Sequence, residues 1–276
     1  MFTQMSDKAR VLWIGVPSLI VIAILVAMFF LNHEPPSYNP VARATLHAQE
    51  HQHQVVTGYT TTSTLMETVD VLLNKRGGYM SNDIMPPWVF LDNVPNWEYG
   101  VLVQVRDLAR TLRNDFSRSQ TQSTEDPDLS QADPLFHYDS ERWIPPDTEG
   151  RYKKGAEALE RYLVRLSSST NPDAQFFARA DNLTDWLAIV EKRLGSLSQR
   201  LSASVGRARL NTDLSGDTEA RQSTDSPAVM IVKTPWTEID DVFYETRGTA
   251  WALIHFLHAM EVDFEDVLRK KNALVS

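Results

Sequence analysis

The stretch DAQFFARADNLTDWLAIVEKRLGSLSQRLSASV (Asp173–Val205) decides the architecture, because its apolar residues repeat over more than three heptads. Phe176, Ala180, Leu183, Leu187, Val190, Leu194, Leu197 and Leu201 alternate steps of four and three. A period of 3.5 keeps one seam facing a partner helix along the whole run, about 48 Å at a rise of 1.5 Å per residue. The seam is expected to pack mainly on other helices of the same chain, with a second copy admitted as a secondary partner. An Asp at Leu187 or Leu194 is therefore expected to bury an unpaired carboxylate and unfold the body.

Stripes that match this seam lie on both sides of it. Upstream, NWEYGVLVQVRDLARTLRNDF aligns Trp97, Val101, Val105, Leu108, Leu112 and Phe116, with Arg106, Arg110 and Arg113 on another face. Thr64–Leu73 places Leu65, Val69, Leu72 and Leu73 together, and Gly77 and Gly78 stop that short helix. A further helix starts near Thr148, with Tyr152, Ala156, Leu159, Leu163 and Leu166 in line; Glu157, Arg161 and Arg165 support its outer face. Downstream, Thr234 and Pro235 open a last long helix with the seam Ile239, Phe243, Thr246, Ala250, Leu253, Leu257 and Met260. Gly248, Thr249 and Ala250 in its middle would let another helix come close. Two polar segments interrupt the pattern: 117–147 reads as a long connection of little structure, and 206–227 leads to the apolar run Val229–Val232, a strand or core-filling coil. The fold class is all-α.

Near the N-terminus, VLWIGVPSLIVIAILVAMFFLN (Val11–Asn32) carries no charge for 22 positions, long enough to cross a hydrocarbon core of about 30 Å. It is longer than a signal-peptide core, and NHEPPSYNP follows where a small-residue cleavage site would stand. It reads as an uncleaved signal anchor in the lipid bilayer. Lys8 and Arg10 precede the span, and the first basic residue after it is Arg43, which keeps the N-terminus cytoplasmic and sends the body to the periplasm. The expected organisation is a cytoplasmic stub over 1–10, the span over 11–32, a juxtamembrane tether over 33–60 with Pro35, Pro36 and Pro40, and a periplasmic helical bundle over 61–276 containing the coiled-coil-like helix.

The formal charge is −9 and there is no cysteine. An acidic body without a basic, aromatic-interleaved run excludes nucleic acid as partner, and the missing thiols exclude thiol catalysis and thiolate metal sites. P-loop, dinucleotide, zinc-protease and nucleophile-elbow motifs are all absent. His47, His51 and His53 with Glu50 offer imidazoles, but on a tether they lack fixed geometry, and His255 with His258 lacks the Glu-x-x-His order of a di-metal bundle. No catalytic residue, metal site or cofactor is expected.

The loop GGYMSNDIMPPWVFLDNVPNWEYG (Gly77–Gly100) is too apolar to stand free in water and reads as a plug over the bundle end. Tyr79, Trp88, Phe90 and Trp97, with Arg106, Arg110 and Arg113, form the candidate partner or ligand surface. That loop, continued to Gln120, together with EDPDL (Glu125–Leu129) and KTPWTEIDDVFYETRGTAWALIHFLHAMEVDFEDVL (Lys233–Leu268), resembles a proteobacterial membrane-anchored family catalogued only as a domain of unknown function, family 2333. The resemblance implies an envelope protein of Gram-negative bacteria and brings no catalytic residue with it. The functional expectation is a non-enzymatic inner-membrane scaffold or regulatory protein of a cell-envelope assembly, with a protein partner in that envelope. The alternative is a periplasmic enzyme or small-ligand receptor using the aromatic loop with Asp83, Asp92 and the last helix.

Overall fold

The computed structural model describes residues 7–119, 123–168, 173–210 and 229–273. It is helical apart from one two-stranded ribbon, in which β1 (Arg207–Leu210) pairs antiparallel with β2 (Val229–Val232). The apolar run at 229–232 is thus a strand; 211–228 of the second polar segment lies outside the described residues.

Helix α4 (Asn93–Thr111) and helix α8 (Ile239–Asp263) form the central pair. The α4 seam is as its spacing requires: Trp97, Val101, Val105, Leu108, Leu112 and Phe116 are all fully buried, the last two in a π-helical turn over Leu112–Phe116. Helix α3 (Tyr59–Asn74) buries Leu65, Val69 and Leu72 against α8 and α6 (Thr148–Leu166). Tyr152, Leu159, Leu163 and Leu166 of α6 face inward as expected.

One helix start is capped from far away in sequence. The residue before α3 is Gly58, which has no side chain to cap with, and the Asp263 carboxylate at the end of α8 accepts from Gly58 N (2.8 Å) and Thr61 N (2.7 Å) instead. Those first-turn amides have no partner inside their own helix, so the carboxylate fastens α3 to α8.

Four expectations are corrected. The polar connection at 117–147 contains α5 (Leu129–Phe136), which buries Leu129, Ala132 and Phe136 against α6 and α4. The outer face of α6 finds its partners there: Arg165 pairs with Asp126 and Asp128, and Arg161 with Asp128.

The tether is a second correction. Helix α2 (Pro40–His51) starts with Asn39 accepting from Ala42 N, and it buries Pro40, Ala44 and Ala48 against α3 and α8. Of the three tether prolines, Pro35 and Pro36 lie before the helix and Pro40 occupies its first position, where no amide is needed. The chain leading to α2 is strapped along α8: Glu34 takes both Nε and Nη2 of Arg247 at 2.7 Å, and the Tyr38 ring stacks on His255 with 4.1 Å between centroids.

That strap carries a pH dependence. Tyr38 N donates to His255 Nε2 at 3.0 Å while Nδ1 faces Trp251 O at 2.6 Å, so Nδ1 holds the proton and Nε2 must stay bare. Burial, helped by His258, depresses the His255 imidazole below its ordinary value of 6.5. With the strap detached, His255 therefore binds a proton more readily than with it docked as pH falls below 6.5, and docking is lost in that direction. The protection of the Tyr38 amide against hydrogen exchange should fall as pH drops from 7 towards 5; constant protection would mean that His255 is not its acceptor.

The third and fourth corrections concern the seams of the long helices. Helix α7 (Ala180–Ser204) begins seven residues into the quoted run; it buries Trp186, Val190 and Leu197, while Arg193 and Arg200, about half exposed, reach across to the neighbouring helices. Arg193 grips Asp107 of α4 at 2.7 and 3.0 Å, and Arg200 grips Glu245 of α8. These ion pairs and the buried Trp186 turn the heptad by one residue, leaving Leu187 39% and Leu194 43% exposed. On α8, Leu253 and Met260 are buried as expected, whereas Phe243, Ala250 and Leu257 are exposed. Leu194→Asp should then change stability by no more than about 0.5–1 kcal/mol, measured by thermal unfolding, and not unfold the body.

Candidate functional site

The aromatic loop is organised by a buried ion pair. Lys75 closes α3, and its ammonium donates to Leu72 O (3.2 Å), Gly78 O and the Glu98 carboxylate. Glu98, one turn into α4, also accepts from Met80 N (2.8 Å), Ser81 N (2.8 Å) and the Ser81 hydroxyl. Burial pushes the Lys75 pKa down, and Glu98 opposes that shift. One carboxylate thus collects the first turn of the loop and pins it to the central helix.

The pinned loop receives the end of the first helix, α1 (Asp7–Leu31), which is apolar and long enough to cross a membrane over Trp13–Leu31. Met28 and Leu31 pack with Trp88 against the small cluster Met80, Leu91 and Val94. Gly77 sits at φ +90°, and a Cβ there would lie 2.8 Å from Leu31 Cδ2, so the turn needs glycine for conformation and for room. Trp88 Nε1 closes the seat by donating to Gly77 O at 3.3 Å. Around it Ile84, Met85, Val89 and Phe90 stay at least half exposed. Tyr79 Oη to Ser140 O (3.0 Å) and Asn82 Nδ2 to Arg142 O (3.1 Å) bring in a neighbouring loop that exposes Trp143 and Ile144. Together these side chains form an apolar collar beside the exit of α1.

The residues expected to form one partner surface divide three ways. Tyr79 and Trp97 belong to the core: Tyr79 meets Tyr152 edge-on, and Trp97 meets Trp251 edge-on with 5.2 Å between centroids. Trp88 is half-buried in the seat, and Phe90 stands out on the collar. The arginines do not form a free basic face. Arg106 donates to Phe136 O (2.8 Å) and Tyr138 O (2.9 Å), Arg110 meets His137, and Arg113 holds Glu125 and Asp133. They clamp the α5 region onto α4, because its last carbonyls and acids are the nearest acceptors. Asp92 is spent on Asn93 N, and Asp241 on Asn96.

Part of the seam that the sequence reading turned inward faces out instead. Leu187 and Leu194 of α7 and Phe243 and Leu257 of α8 are exposed, as is Ile254 beside that seam, and a groove between the two helices is lined by Leu194, Leu197, Ser198, Leu201, Ser202 and Thr246.

Fold and surfaces together define an all-helical body mounted on one long apolar N-terminal helix. The chain belongs to the bacterial family described as "Uncharacterized protein conserved in bacteria (DUF2333)", whose family model matches residues 6–276. No curated protein and no solved structure matches the chain.

Proposed function

We propose that this protein is a single-pass inner-membrane protein with a cytoplasmic N-terminus and a periplasmic body that acts as a non-enzymatic scaffold or regulatory partner in a cell-envelope assembly. The observation that carries the reading is the outward apolar row of α7 and α8. Two helices of 25 residues each leave leucine, isoleucine and phenylalanine in water beside a groove, although the chain had polar residues to place there. The occupant that fits is an amphipathic helix of another envelope protein. The seat for α1 supports the same role. A span docked on the body by Met28, Leu31 and the Glu34–Arg247 pair holds this face at a fixed height above the bilayer, with the collar at the depth where tryptophan and phenylalanine partition. Lys8 and Arg10 before the span support the orientation. An enzyme or ligand receptor at the aromatic loop would need room beside its tryptophans, but Trp97 is filled in against Trp251, and Trp88 packs on the cluster of Met80, Leu91 and Val94.

Photo-crosslinking amino acids placed at Leu194 and Ile254, with exposed Lys154 as control, test the reading in native membranes. Positions 194 and 254 should capture one common protein that Lys154 does not. Capture at the control level from both, or capture of the chain by itself alone, would remove the proposed partner. External protease on spheroplasts should digest the body; a protected body with a cleaved N-terminus would reverse the topology.

A further inference from the structure

We propose that His47, His51 and Glu160 form a binding site for a divalent transition metal ion of the zinc class, built where the Glu160 side chain of α6 reaches the histidines of α2. The proposal rests on ligand atoms brought close together, on hydrogen bonds that hold the second nitrogen of each imidazole, and on a solvent-closed carboxylate oxygen that faces His47.

His47 and His51 stand one turn apart on α2, so they share a face, as helix-borne zinc histidines four residues apart do. Their rings stack with 4.3 Å between centroids. Glu160 reaches them from α6, and one ligand atom from each of the three residues lies within 4.8 Å of the others. His47 Nε2 is 3.3 Å from Glu160 Oε2. Two ligands of a tetrahedral zinc ion, each about 2.0–2.1 Å from the metal, are themselves separated by about 3.3 Å, so this pair already has the spacing of one edge.

The tautomers follow from the partners. His51 Nδ1 faces the carbonyl of His47 at 3.0 Å. A carbonyl only accepts, so Nδ1 carries the proton and the lone pair is on Nε2, the nitrogen left to bind a ligand. His47 Nδ1 meets the hydroxyl of Tyr59, a residue buried at the start of α3, at 2.9 Å, and His53 Nδ1 meets the same oxygen at 3.1 Å. Without metal, His47 Nε2 holds its proton towards Glu160 Oε2 and Nδ1 accepts from Tyr59; metal binding moves the imidazole proton to Nδ1, which then donates to Tyr59 while Tyr59 donates to His53, and Nε2 is bare for the ion. A metal-binding histidine is normally held this way by its second nitrogen. Glu160 Oε2 is closed to solvent and accepts no well-aligned hydrogen bond among the described residues. Its near polar neighbour is His47 Nε2, and a cation held between the two would take the place of that contact.

The frame is rigid where it needs to be. Ala44 and Ala48, on the inner side of α2, are buried, while His51 is exposed and leaves a path for the ion to enter. Two imidazoles and one carboxylate without thiolate suit zinc and its neighbours and not calcium or magnesium, which prefer oxygen cages. Three protein ligands leave the fourth position to water, and the ion ties α2 to α6.

The test uses the full chain, free of any histidine tag, in detergent micelles. Zinc is titrated against a chromophoric chelator, cobalt is added separately for its visible d–d bands, and thermal unfolding is followed with and without zinc. One zinc per chain is expected, with tetrahedral-type cobalt bands and a raised Tm. His51→Ala, at an exposed position, and the near-isosteric Glu160→Gln should each weaken zinc roughly tenfold or more and abolish the Tm rise, with the circular dichroism of the parent. His258→Ala should bind as the parent does. Less than one zinc per chain at micromolar free metal would overturn the site. So would variants at 51 and 160 that bind as the parent does.

Discussion

Replacing Glu98 with Ala should destabilise the body by about 3–5 kcal/mol, the usual loss when one partner of a buried ion pair is removed and the other stays. Lys75 and Glu98 side chains are 2% and 0% exposed, so water cannot replace the missing carboxylate. The amides of Met80 and Ser81 lose their acceptor in the same step, and the damage extends to the loop that receives α1. Lys75→Met should cost less, because Glu98 keeps those two amides and the Ser81 hydroxyl as donors and can take up a proton. Chemical denaturation followed by circular dichroism reads both, and Trp88 fluorescence should shift to the red in Glu98→Ala before global unfolding. A loss below about 1 kcal/mol would mean that water reaches the pair.

The sequence made α4, α6 and the α3 core legible for one reason: their inward rows are almost purely apolar, so periodicity and burial coincide. Trp97 to Phe116 needed no other information. The same rule misplaced α7 because that helix is fastened to the body partly by arginines. A count of apolar positions selects Leu187, Leu194 and Leu201, while Trp186 is buried and the half-exposed Arg193 and Arg200 are held by Asp107 and Glu245. Such pairs join residues 86 and 45 positions apart and leave no local trace. Glu98 with Lys75 and Asp263 with the start of α3 were hidden in the same way. The histidine cluster was visible as composition, but its geometry depends on α2 being ordered, and that order comes from buried Pro40, Ala44 and Ala48 meeting α3 and α8. The candidate surface of the loop was half legible: its aromatic content announced burial, but nothing local distinguished Trp97, which enters the core, from Phe90, which stays out.

Gly248→Ala and Gly100→Ala should both destabilise, while Gly195→Ala should stabilise, although all three glycines lie inside helices. Helix propensity favours alanine by about 1 kcal/mol at each position, so the sign depends on what the new methyl meets. At Gly248 it would lie 2.0 Å from Trp97 O, and at Gly100 2.1 Å from Glu245 O and 2.8 Å from Thr249 N. These are backbone atoms of the facing helix and cannot swing aside as a side chain would. To admit the methyl, α4 and α8 must separate at their closest approach, which weakens the Thr249 Oγ1 to Gly100 O bond (3.3 Å) and the Trp97–Trp251 contact. Overpacking of this kind typically costs about 1–3 kcal/mol, and immovable backbone places these sites at the upper end, so the net loss should approach about 2 kcal/mol after the propensity gain. At Gly195 nothing lies within 4 Å of the added carbon, and the propensity gain is kept in full. Once one methyl has parted the helices, the second enters at little further cost, so the double variant Gly100→Ala with Gly248→Ala should lose less than the sum of the two. Thermal unfolding of the four chains decides it: if Gly248→Ala stabilises as Gly195→Ala does, α4 and α8 do not meet at these two glycines and the central pair is wrongly placed.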